Sequence, residues 1–279
     1  MIKPLLQDNA FLTDIQEKAH QPDQLHIWWL GQSGFLVQWQ GNHLLLDPYL
    51  SDSLTKKYAN TPKPHVRMTE RVIEPQKLDF IDVVTSSHNH TDHLDGETLI
   101  PLLTANPELT VIVPEANRSF AADRLQVPAG RLTGITINEP QPVDAFTFHA
   151  LPSAHEELER DEQGHHKFIG LIIQVGPWTL YHSGDTIWYN GLVEYLSNWS
   201  IDLAFLPING RDPKRGVAGN LSGLEAVDLA QKVGIGIVIP CHFEMFEFNT
   251  VSPDAFLQAA KSTGQGHCLL RSGEHVGLG

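Results

Sequence analysis

Cysteine is scarce in this chain: there are two, Cys241 and Cys268, among 279 residues. One pair cannot make a disulfide framework, so the fold must rest on its core, and a reducing compartment is the simpler setting. Long apolar runs are missing as well. None approaches the roughly 20 residues of a membrane-spanning helix. Residues 1–18, MIKPLLQDNAFLTDIQEK, break every apolar stretch with charge or Gln. They lack the uninterrupted apolar segment of a secretory signal, so a cytoplasmic protein with no membrane partner is expected. Basic charge is also short. Nineteen Lys and Arg stand against 33 Asp and Glu, a formal net charge of -14, which opposes binding to nucleic acid or anionic lipid. No Gly/Ser linker, low-complexity segment or short-period repeat divides the chain. One domain over 1–279 is expected, with 1–24 as an N-terminal lead packed on it.

The hydrophobic share, 41%, is that of an ordinary globular protein, and the unusual count is histidine, with 15 copies. In the lead, Phe11, Ile15 and Ala19 recur at helical spacing. Short apolar and aromatic runs follow at 25–30, 35–39 and 44–46. Gly31, Gly34 and Gly41-Asn42 separate them, and Asp47-Pro48 ends the third, which reads as an antiparallel meander. Further strands are expected at 81–85, 109–113, 135–137, 146–151, 169–175, 179–182, 203–207 and 235–240. Helices are expected at 94–104, 115–125, 188–199, 222–233 and 253–262, and an exposed polar loop at 155–167. Strands and helices alternate in both halves. The class is therefore α/β, as two sheets packed face to face with helices outside both.

The sharpest signal is His88-Asn89-His90-Thr91-Asp92-His93, between an apolar strand and a helix. A lone histidine is usually solvated or packed. Four potential ligands crowded onto one strand-end loop point instead to a divalent metal, since neutral imidazole and carboxylate both bind such ions. Later strand ends add His155 in LPSAHE, Asp185 in YHSGDT and His242 in IPCHFE. Each alone could be a surface, turn or core residue. His149 rivals His155, but an apolar strand suits it to core packing. His182 reads as core or as a support for the ligands, and His165 and His166 as solvent-exposed or substrate-facing. Asp47 is either a strand stop or an acceptor for a ligand's outer ring nitrogen.

The pattern H-x-H-x-D-H resembles the signature of the metallo-β-lactamase superfamily, which implies an αββα sandwich with a two-metal centre. Carried over, His88, His90 and His155 hold one metal, Asp92, His93 and His242 the second, and Asp185 bridges them. In such a centre the cations, about 3.5–4 Å apart, lower the pKa of a shared water and polarise the substrate oxygen, with Asp92 and Asp185 aiming the water. The metals would be Mn²⁺ or Zn²⁺. WLGQSGFLV, LLLDPYLSDS, LPINGRDPKRGVAGNLSGLEAVDLA and IPCHFEMFEFN are similar to segments of the L-ascorbate-6-phosphate lactonase branch. That likeness implies hydroxide attack on a phosphorylated sugar lactone, a small anionic substrate. Arg211, Lys214 and Arg215 cluster in an acidic chain, next to Gly219, Asn220 and an S-x-x-E capping pattern at Ser222. The free amides of that helix start, with a guanidinium, would seat a phosphate. Arg211, Lys214 and Asn220 are thus the expected substrate contacts, against the alternative of a solvated loop. Two other functions compete: a phosphodiesterase of the same fold, and a non-catalytic metal-binding protein. A di-iron redox enzyme would put Glu where His90 stands. The sequence also leaves open a homo-oligomer.

Overall fold

The structure is a computed structural model that describes residues 1–137 and 139–279. Six strands open it: β1 (Leu25–Gly31), β2 (Gly34–Trp39), β3 (Asn42–Leu46), β4 (Val83–Thr85), β5 (Thr110–Pro114) and β6 (Leu132–Ile135). Seven more form a second sheet: β7 (Gln141–Val143), β8 (Phe146–Pro152), β9 (Ile169–Val175), β10 (Trp178–His182), β11 (Leu203–Pro207), β12 (Ile237–Cys241) and β13 (Gly266–His267). The last strand, β14 (His275–Leu278), returns to the first sheet beside β1. The orders are β14-β1-β2-β3-β4-β5-β6 and β13-β12-β11-β10-β9-β8-β7. Both sheets are mixed. β3 to β6 run parallel, as do β10 to β13, and the remaining pairs are antiparallel.

The apolar runs are continuous rather than alternating because both faces of the first sheet are covered. Along β1, Leu25, Ile27 and Trp29 face the second sheet. Trp28 and Leu30 face outward, with Phe11 and Ile15 from helix α1 (Asp8–Lys18). The period of two repeats in β2, where Phe35 and Val37 point in and Leu36 points out. Each such fully buried side chain contributes about 1.5–3 kcal/mol. Helices α2 (Ser53–Tyr58), α3 (Gly96–Ala105) and α4 (Arg118–Leu125) follow β3, β4 and β5, and α5 (Leu192–Leu196), α6 (Gly223–Val233) and α7 (Asp254–Thr263) flank the second sheet. The expected sandwich of two sheets with helices is the fold observed. No helix is long and apolar enough to cross a membrane, among the described residues.

Some local expectations shift. Ala19 only caps α1 and is exposed. The segment 188–199 holds a helix of only Leu192–Leu196, because Gly191 adopts φ 103° just before it. The strand expected at 135–137 lies earlier, at Leu132–Ile135. His149 is not in the core: it lies half-buried on the outer face of β8, with Nε2 at 3.1 Å from Gln174 Oε1 and its ring over Trp199. His166 is buried rather than solvent-exposed. Cys241 and Cys268 are unpaired.

Candidate metal centre

The antiparallel and parallel pairings make β1, β3 and β4 run one way in the first sheet, and β8, β10 and β12 run one way in the second. Every candidate ligand follows one of these strands. The 88–93 loop follows β4, His155 follows β8, Asp185 follows β10 and His242 follows β12. They meet at the carboxyl end of the sandwich, where open α/β sheets present their sites.

All seven predicted ligands come together there. Ligand atoms of His88, His90 and His155 lie within 4.8 Å of one another, as do those of Asp92, His93 and His242. Asp185 stands between the groups. Its Oδ2 is 3.5 Å from His155 Nε2 and 3.3 Å from His242 Nε2, and its Oδ1 is 3.3 Å from His93 Nε2. Two of the outer ring nitrogens are tied down. His155 Nδ1 donates to the Gly219 carbonyl at 2.8 Å, and His93 Nδ1 to Asp47 Oδ2 at 2.7 Å. A carbonyl or carboxylate can only accept, so these rings carry hydrogen on Nδ1 and aim Nε2 inward. His88 Nδ1 is 3.0 Å from Ser87 Oγ. His88 Nε2, His93 Nε2 and Asp185 Oδ1 are buried with no hydrogen-bond partner. Buried polar atoms are normally satisfied, so these orphaned atoms on imidazoles and a carboxylate fit a divalent cation.

Electrostatics agree. Burial, with His93 and His90 close by, pushes the His88 ring well below the usual imidazole range, so it is neutral and able to ligate. Burial alone would raise the Asp185 carboxyl, but the His242 and His93 rings outweigh it and hold the group well below the carboxylate range. For His93, burial disfavours charge, yet the Asp185 and Asp92 carboxylates raise its proton affinity well above normal. The two carboxylates thus demand positive charge at this point, and a divalent cation competes with the protons.

Three supports were only partly legible beforehand. Asp47 is the acceptor rather than merely a strand stop. Fully buried, it receives Ser87 N at 3.0 Å and Thr85 Oγ1 at 3.1 Å as well as His93, and Ser87 Oγ also donates to it. With those oxygens engaged by donors, it is placed to orient His93. Gln32, between β1 and β2, went unnoticed: its amide donates to Asp92 Oδ2 at 2.8 Å, and the same nitrogen lies 3.0 Å from His242 Nε2. Phe168 packs against His88, His90 and His155, with ring centroids 5.0, 5.7 and 5.8 Å away. Gln32, Asp47 and His242 all have positive φ (51°, 37° and 61°). Such strain in non-glycine residues collects at functional sites. His182, as expected, is a buried support, its Nε2 at 3.0 Å from the Ser33 carbonyl.

Gly184 is what lets the Asp185 loop lie on the 88–93 loop. Its φ is 58°, and a Cβ there would meet Ser87 Oγ at 2.6 Å and the Ile169 carbonyl at 2.9 Å. Gly184→Ala should therefore destabilise the protein by about 1–3 kcal/mol through overpacking and weaken metal retention. Thermal melts with and without added Zn²⁺ check this, and an unchanged melt in both would refute it.

The centre forms the floor of a cavity of about 640 Å³. Lys57 and Tyr58 from α2, Lys63 and His65 from the loop after it, and Phe120 and Arg124 from α4 line its walls, with Phe246 and Phe248 beyond His242. Arg211, Lys214 and Asn220 do not line it. The Arg211 guanidinium pairs with Glu225 at 3.1 Å, Lys214 is exposed, and Asn220 is fully buried with both side-chain polar atoms unpartnered. The start of α6 is closed by its own capping box: Ser222 Oγ accepts from Glu225 N while Ser222 N donates to the Glu225 carboxylate. The capping pattern was legible, but a capped start leaves those two amides no phosphate to hold.

The chain matches the Beta-lactamase superfamily domain over residues 42–243. It is similar to a UPF0173 metal-dependent hydrolase of Metallosphaera sedula, 25% identical over 258 residues, covering 90% of this chain and 99% of the relative. It is also similar to a probable L-ascorbate-6-phosphate lactonase of Escherichia fergusonii, 22% identical over 265 residues, covering 84% of this chain and 73% of the relative. Among solved structures it resembles Igni18, a metallo hydrolase of Ignicoccus hospitalis, with TM-score 0.67 at 18% identity, covering 92% of this chain and 99% of that one. The converging ligands lie at the strand ends of the fold these proteins share, and the chain belongs to the metallo-β-lactamase superfamily as a metal-dependent hydrolase.

Proposed function

We propose that residues 1–279 act as one cytoplasmic dinuclear hydrolase domain that opens a phosphorylated sugar lactone such as L-ascorbate 6-phosphate. The observation that carries this reading is a metal-ligating floor beneath a cavity walled by Lys57, Lys63 and Arg124, in a protein of net charge -14. Cations gathered around one cavity favour an anionic substrate. The likeness to the lactonase of Escherichia fergusonii supports the lactone.

His88, His90 and His155 would hold one Mn²⁺ or Zn²⁺ and Asp92, His93 and His242 the other, with Asp185 shared. When bound, the metals supply an activated water at neutral pH and a Lewis acid for the carbonyl oxygen. Asp92, held by Gln32, and Asp185 orient that water by accepting its hydrogens. Lys63 and Lys57 draw the phosphate to the rim, while Tyr58, Phe120, Phe246 and Phe248 keep bulk water from the ring.

The test is turnover of L-ascorbate 6-phosphate by protein loaded with Mn²⁺ and, in parallel, with Zn²⁺, followed by acid release. Metal-dependent ring opening is expected. Failure with both metals in verified loaded protein removes this substrate, and cleavage of bis(p-nitrophenyl) phosphate instead would establish the phosphodiesterase. Lys63→Ala should raise KM about tenfold with kcat held, the loss of one charge-assisted hydrogen bond of about 1.5 kcal/mol. Arg211→Ala, already paired with Glu225 at the surface, should change KM by less than about twofold. The reverse pattern would return the phosphate seat to Arg211.

A further inference from the structure

Ring opening leaves an alkoxide that must take up a proton, and the ligand histidines are committed to metal. Among the described residues lining the cavity, His65 is the imidazole outside the ligand groups. Its ring is boxed by aromatics: stacked on Tyr58 at 4.2 Å and 20°, and edge-on to Phe248 at 4.4 Å and to Phe246 at 5.1 Å. Nδ1 lies 3.1 Å from the Lys63 carbonyl. Since that carbonyl only accepts, Nδ1 carries hydrogen, and Nε2 is the nitrogen left to exchange a proton. A half-buried ring held on three sides, with one nitrogen fixed and the other free, is organised for proton transfer rather than for packing alone.

We propose that His65 is the acid that protonates the leaving oxygen, an inference that rests on the hydrolytic reading above. The water oxygen bonds to the acyl carbon, and the bond from that carbon to the ring oxygen breaks. The leaving oxygen takes the Nε2 proton of His65 in its imidazolium form, leaving the neutral ring with hydrogen on Nδ1, and a proton of the water passes to Asp92. His65 then recovers a proton from solvent and Asp92 releases one, so one water is consumed per ring opened. Burial lowers the proton affinity of His65, with the Lys63 carbonyl and the Asp92 carboxylate opposing. The protonated ring is therefore a stronger acid than a free imidazolium, a smaller share of rings carries that proton at neutral pH, and the step is favoured as pH falls.

Two six-membered lactones test the assignment: δ-valerolactone, whose leaving group is an alkoxide, and dihydrocoumarin, whose leaving group is a phenolate that needs no acid. In metal-loaded protein, His65→Gln should lower kcat on δ-valerolactone about 10²-fold or more, within the range for general acids. Turnover of dihydrocoumarin should change by less than about threefold, with metal content unchanged. A purely structural role would lower both rates together. Equal losses, or no loss on δ-valerolactone, would overturn the role of His65 while leaving the hydrolase intact. If the unaltered protein opened neither these lactones nor L-ascorbate 6-phosphate, the lactonase reading itself would fall, and this role with it.

Discussion

Asp185→Asn is expected to lower metal-dependent turnover by about 10³-fold and to prevent recovery at high metal concentration. Asp185 is the carboxylate that faces both ligand groups, within 3.3–3.5 Å of His93, His155 and His242. Losing its charge removes several kcal/mol of stabilisation, and about 4 kcal/mol corresponds to a thousandfold in rate. Asparagine keeps the shape, so the chain should still fold. The rise in melting temperature on adding Zn²⁺, which reports binding to the native state, should shrink in parallel. Full metal content by elemental analysis, together with full turnover, would remove Asp185 from the centre.

Asp47→Asn should give a different signature. Asp47 does not line the cavity above the centre, but it holds His93 Nδ1 and anchors Ser87 beneath His88. Partners of this kind fix ring orientation and raise ligand basicity, and losing one weakens metal binding about 10–100-fold. Activity at limiting metal should fall by that factor and return at saturating metal, which Asp185→Asn cannot do. Asparagine also tolerates the positive φ of position 47, so backbone strain is not added. A titration of activity against free Mn²⁺ separates the two variants. An unshifted curve for Asp47→Asn would mean that His93 does not need its carboxylate partner.

On the proposed function, three parts of one cavity would divide three tasks: the rim lysines holding the anion, His65 protonating the leaving oxygen and the floor activating water. They come from different parts of the chain. The floor belongs to strand ends, which the sheets hold rigidly. The rim belongs to α2, the loop after it and α4, which differ in local chemistry from the floor and can vary without disturbing it.

The candidate ligands could be picked out because each obeys a local rule. The 88–93 loop concentrates its donors between one apolar strand and one helix. His155, Asp185 and His242 each stand directly after an apolar run, so their place at a strand end could be read without knowing how the strands pair. The continuous apolar strands and the capping box of α6 were legible for the same reason: neighbours in sequence decide them. The parts misread are those that distant segments decide. His149 sits in an apolar run yet faces outward, because the twofold period of β8 gives its neighbours Phe148 and Ala150 to the core. Arg211 looked free until Glu225, one turn into α6, closed on it. Asp47 was one of two open readings until His93 met it, and Gln32, Lys63 and His65 carry no chemical pattern of their own: each gains its meaning from a partner far along the chain, Asp92 and His242, Gly216, and Phe246 with Phe248. Residue type and spacing set which atoms can ligate, whereas sheet direction, strand pairing and loop closure set which of them meet.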